Sequence, residues 1–163
     1  MDAYVLDADA LINLHRHFRK RMRNLLGMIV QQRLMVPEGV YREICRIDDA
    51  LKDVLEKWEK ANRQFVVKIN KTPNLSAEWQ RIDQCYGEQI KIGKQGYPGF
   101  WSSCSGRKAA DAQVVAAAKV LQATVVSDDR AVQMACMLEN VQCIGWAEFA
   151  RVAGLAQLTL FSG

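Results

Sequence analysis

Apolar positions recur along the chain in two rhythms. Short unbroken runs at 3–7, 34–36, 65–69, 124–127 and 141–145 carry few polar interruptions, the pattern of strands buried on both faces. Between them the spacing turns helical. Leu25, Leu26, Ile29 and Val30 form an i, i+1, i+4, i+5 stripe, and Leu51, Val54, Leu55 and Trp58 fall at i, i+3, i+4, i+7, which predicts a helix over 49–60. Helices are also predicted after the first strand, from Pro37 onward, and over 76–90, 108–122, 129–138 and 146–153. Residues 92–107, with four glycines and a proline, read as loop, and the last ten residues as either a tail or an edge strand. Strands alternating with helices predict an α/β fold, three α/β/α layers around a central, mostly parallel sheet. No linker or repeat divides the chain, so a single domain is expected over 1–163.

Composition narrows the class without choosing a function. Half of the 163 residues are hydrophobic and a quarter charged, which suits a globular chain able to bury a core. No apolar run reaches 18 residues, and Asp2, Asp7 and Asp9 stand where a secretory signal needs basic and then apolar residues. The five cysteines (45, 85, 104, 136, 143) form no CxxC pair and cannot all pair with one another, so they read as reduced, packed thiols of a cytoplasmic protein. With only His15 and His17, two apart on a helix, neither a Ser–His triad nor a facial histidine metal site is supported, and no phosphate-cradling glycine loop is present.

Charge adds more. The net charge is +4, but from Asp9 to Glu38 there is no acid, while Arg16, Arg19, Lys20, Arg21, Arg23 and Arg33 supply six positive charges. Such a run is either a solvated helix face or a surface that meets a polyanion. Around 91–108, Lys91, Lys94, Arg107 and Lys108 surround Tyr97, Phe100 and Trp101. Basic residues among aromatics suit a single nucleic-acid strand, and equally a surface loop pinned by its rings.

The acids carry the chemistry. Asp7 ends the first strand in "YVLDADALIN", and Ser127, Asp128 and Asp129 end another in "TVVSDDRAV". If these strands run parallel, the acids reach the same edge of the sheet, where ligands gather. Glu43 shares a helical face with Val40, Ile44 and Ile47, and Asp111 stands one turn before Val114 and Val115. Each has a plainer explanation as a turn residue or helix cap. Together they are harder to dismiss, because two carboxylates roughly 5 Å apart repel by about 3 kcal/mol at an effective dielectric near 20. A cation among them removes that cost, and oxygen donors suit Mg²⁺ or Mn²⁺.

The segments "YVLDADALI", "VPEGVYREI", "AADAQVVAAA" and "ATVVSDDRAV", in that order, resemble the PIN-domain nucleases, above all VapC-type toxins and their PIN-like relatives. The resemblance covers both ends of the chain and leaves about 60–107 as an insert without a clear counterpart. It implies a metal-dependent endoribonuclease whose Mg²⁺ or Mn²⁺ is held by Asp7, Glu43, Asp111 and Asp129, with Asp9, Ser127 and Asp128 supporting them. The family spacing of Ser or Thr, any residue, then Asp favours Asp129 over Asp128. RNA contacts are expected from Arg19, Lys20, Arg23, Lys94, Tyr97, Trp101, Arg107 and Lys108. The implied partners are RNA, a cognate antitoxin and, in some arrangements, a second copy of the chain, with no membrane. Two alternatives stand beside this. A haloacid-dehalogenase-like phosphatase would use Asp7 as nucleophile and Asp9 as general acid, with Lys108 or Lys119 on the phosphate. A non-catalytic PIN-like module would only bind RNA or protein.

Overall fold

A computed structural model describes residues 2–47, 49–102 and 110–156. In chain order its elements are β1 (Tyr4–Leu6), α1 (Ala8–Phe18), α2 (Leu26–Val30), β2 (Leu34–Pro37), α3 (Glu38–Cys45), α4 (Ala50–Ala61) and β3 (Val66–Val67). There follow α5 (Leu75–Tyr86), β4 (Gln89–Ile92), β5 (Gln95–Pro98), α6 (Asp111–Leu121), β6 (Thr124–Val126), α7 (Arg130–Leu138), β7 (Cys143–Ile144) and α8 (Trp146–Val152). Five strands form one parallel sheet in the order β3-β2-β1-β6-β7, so the mixed α/β, three-layer expectation holds.

The layers follow from the apolar pattern. Val5, Leu6, Val36, Val125 and Val126 are fully buried, as strands covered on both faces require. Helix α6 lies across β1, β2 and β6 with α5 and α7 beside it, and its run of buried small residues, Ala112 and Ala116–Ala118, lets it sit close to the sheet. Right-handed crossovers carry the chain from β1 to β2 and, in the opposite direction, from β6 to β7, which puts α1 on the other face, where it meets α3 and α8. Strand β3 and helix α5, both within 60–107, belong to this core.

Four expectations need correction. Residues 92–98 are not loop. Strands β4 and β5 form an antiparallel hairpin that pairs Ile90 with Tyr97, and Gly93, at φ 63°, sits first in its two-residue turn. The stripe at 25–30 is only half buried. Arg19–Leu25 is a 3₁₀ turn that changes the phase, so Leu25 and Ile29 point inward while Leu26 and Val30 are exposed. Ile47 is exposed because α3 ends at Cys45. The four described cysteines are free, but Cys85 is exposed rather than packed; Cys104 and the final seven residues lie outside the described residues. Among the described residues no helix is long and apolar enough to cross a membrane.

Candidate functional site

β1 and β6 are neighbours in parallel register, with Leu6 beside Val126, so Asp7 and Ser127 emerge side by side at the carboxyl edge of the sheet. The strand order reverses between these two strands, and the resulting crevice is where open α/β sheets bind ligands. Asp7 is buried, and one of its oxygens accepts the Ala10 N–H at 2.8 Å, capping α1. Asp129 caps α7 by accepting the Val132 N–H at 3.0 Å. The buried Ser127 hydroxyl accepts the Asp129 N–H at 3.0 Å and hydrogen-bonds Asp7, joining the two strand ends. Asp111 opens α6, so three helix N-termini face one crevice, an environment that favours negative charge.

That help is incomplete. Burial, and then the fields of Asp129, Asp7, Glu43 and Asp9, push the Asp111 carboxyl up to about 7. Burial also pushes Asp7 up to about 6, against its hydrogen bonds from Ser127 and Ala10 and with added repulsion from Asp9 and Asp129. Glu43, half-buried on α3, is raised by burial and by Asp9, with Arg46 opposing. Asp9 is exposed, yet its charge is felt by Asp7, Glu43 and Asp111 alike, so it joins the acidic group on its open side. Among the described residues none of these acids forms an ion pair, and no three His, Cys, Asp or Glu side chains are drawn together tightly enough to enclose a metal. The donor chemistry nonetheless fits a hard divalent cation: carboxylates only, mutually repelling, with Asp7 buried and Asp111, Asp129 and Glu43 half-buried.

Asp128 has separate work. Its Oδ2 accepts the Trp146 N–H at 3.0 Å, satisfying the start of α8. On the other flank, the Gln113 side chain accepts the Gly39 N–H at 2.9 Å, tying the start of α3 to α6 two residues beyond Asp111.

The expected RNA-contacting residues separate into groups. Tyr97 lines a cleft of about 320 Å³ that also includes Asp111 and Asp129. Lys94 is exposed at the hairpin tip. Trp101 instead pins the hairpin, its indole N–H donating to Asp83 at 3.0 Å. Arg19, Lys20 and Arg23 are exposed beyond the far end of α1, about 16 Å of helix from Asp7 at 1.5 Å per residue. Arg107 and Lys108 lie outside the described residues. Lys119 is at the opposite end of α6 from Asp111, bonded to Glu139, away from any phosphate at Asp7.

Sequence reasoning passed over Arg130. Its guanidinium lies over the Tyr97 ring, 5.1 Å from the centroid. A cation in the first turn of a helix opposes the helix dipole, and in "SDDRAV" that misfit was the available signal.

This is an α/β protein with an acidic centre at the switch point of a parallel sheet. The chain matches the family described as domain of unknown function DUF4411 over residues 4–156, and it belongs to that family. No curated protein matches it.

Proposed function

We propose that this protein is a PIN-type endoribonuclease dependent on Mg²⁺ or Mn²⁺, the toxin of a toxin–antitoxin pair. The observation that carries the reading is the gathering of Asp7, Asp111 and Asp129 at one crevice by β1, α6 and β6, with burial and mutual repulsion raising two of them. Asp7, Asp111 and Asp129 would hold the ion, with Glu43 and Asp9 bordering it. When bound, the ion would supply activated water and neutralise charge on the phosphodiester. The chain's own contribution is placement. Caps to Ala10 and Val132 fix one oxygen each of Asp7 and Asp129 at the starts of α1 and α7. Ser127 holds the two together. Asp128, engaged with α8, supports the fold rather than the ion.

Purified protein should cut RNA with Mg²⁺ or Mn²⁺, not in chelator, leaving 5′-phosphate and 3′-hydroxyl ends. Asp7→Asn should retain the fold, since Asn caps as well as Asp, and lose cleavage. Cleavage that persists in chelator or in this variant counts against the reading. A toxin must be restrained in its own cell, so a small neighbouring gene product is expected to copurify as an inactive complex. A basic side chain of that partner would sit among the acids. Of the two lysines that the phosphatase alternative would place on the phosphate, Lys119 is remote from Asp7 and Lys108 lies outside the described residues.

A further inference from the structure

The cleft beside the acids has an unusual second wall. One side is the carboxyl edge of the sheet, with Asp111 and Asp129; the other is the β4–β5 hairpin and the turn after it, with Tyr97 and the buried Phe100, closed below by Met134 of α7. An apolar, aromatic cleft of about 320 Å³ touching a phosphodiester-cutting centre is more than a phosphate needs. Arg130 adds the decisive detail. It is exposed, follows Asp129 directly, and lays its planar cation on the Tyr97 ring. A planar group already occupies a face of an aromatic ring that opens on the acids.

We propose that this cleft receives one unpaired nucleobase of an RNA strand, stacked on Tyr97 in the place where Arg130 now lies, beside the phosphodiester held at the acids. This rests on the nuclease reading above and adds to it a single-stranded substrate and the residue that reads it. The incoming base displaces Arg130, which sits one residue from Asp129 and so turns to the adjacent phosphate. Stacking on Tyr97 excludes a base kept inside a duplex, because its faces are already covered. Phe100 and Met134 supply the apolar floor, and Trp101 behind them holds the hairpin in position through Asp83.

The test is fluorescence anisotropy in Mg²⁺, with Asp7→Asn as the parent so that the strand survives. The probes are a labelled single-stranded RNA and the same sequence fully paired. Adding Tyr97→Ala should weaken single-strand binding about tenfold and leave duplex binding unchanged, while Tyr97→Phe should stay within about twofold of the parent. Arg130→Ala should lower the salt dependence by about one phosphate contact. Equal single-strand affinity for the parent and for a Tyr97→Ala variant with an unchanged melting midpoint overturns the pocket. If the natural chain still cleaves RNA in that case, the nuclease reading survives. Tyr97-dependent single-strand binding by a chain that cuts no RNA with either metal keeps the pocket and removes the nuclease reading. No RNA binding at all removes both.

Discussion

Asp111 and Asp7 sit above the ordinary carboxylate value of 3.8, at about 7 and about 6, so their ionisation works against the fold. The cost is absent below the unfolded value and complete above the folded one. Metal-free protein should therefore lose several kcal/mol between roughly pH 4 and pH 7, about 1.4 kcal/mol for each unit by which each carboxyl is raised, less the repulsion that the two share. Melts in chelator at about pH 5 and about pH 8 check this, with Asp111→Asn raising the second midpoint more than the first. Since the proposed ion needs ionised carboxylates, Mn²⁺ should raise the midpoint more at about pH 8 than at about pH 5. The Asp128–Asp129 pair gives a sharper contrast. Asp128→Ala should cost about 1 kcal/mol through the start of α8 and keep cleavage, whereas Asp129→Asn should keep its cap and lose cleavage. Motif spacing already favoured Asp129. The reason Asp128 is otherwise occupied was not legible, because its partner, the Trp146 N–H, lies 18 residues away and meets it only through tertiary approach.

The helices and strands that make the site were readable because each carries its own periodicity, from the strand before Asp7 to the helix after Asp129. The hairpin was not. Gly93, Gly96 and Gly99 mark it as loop, and the pairing of Ile90 with Tyr97 that makes it a ribbon spans a turn that hides the alternation. The 3₁₀ turn at Arg19–Leu25 was equally hidden, since nothing in the stripe announces a change of phase. Gly87 governs the hairpin's seat. A Cβ there would stand 2.2 Å from Trp101 Cε2. Gly87→Ala should therefore destabilise by about 2 kcal/mol through overpacking and displace Trp101. Denaturant midpoints with tryptophan emission would show it; an unchanged midpoint would mean that both the indole and the Asp83 carbonyl oxygen, 2.4 Å from that Cβ, move aside.

Across the whole molecule, opposite ends respond to pH in opposite directions. At the far ends of α6 and α7, the nearly buried Glu139 carboxylate accepts from Arg81, Lys119 and Tyr86. These partners hold it down to about 2, with Arg81 the largest influence. A lowered carboxyl stabilises the fold above its unfolded value of 4.5, and that contribution disappears as pH falls toward 2. The crevice acids weaken the fold as pH rises, so metal-free protein should be most stable near pH 4–5, between these two windows. Glu139→Gln should remove the acid-side loss and cost about 2 kcal/mol at neutral pH, by exchanging charge-assisted hydrogen bonds for weaker ones. Urea titrations of the two proteins across pH would check both statements.

The β4–β5 hairpin begins at Gly87 and ends at Gly99, where backbone lies against backbone. A Cβ on Gly99 would lie 2.2 Å from the Tyr86 carbonyl oxygen and 2.5 Å from that of Gly87. The hairpin is closed off at its neck and anchored in the core by the buried Ile90, so the residues at its exposed tip can vary while the sheet and its acids stay as they are. On the nuclease reading proposed above, exchanging the segment 88–98 between two family members should carry RNA preference with it as a cassette, measured by cleavage of both members' substrates.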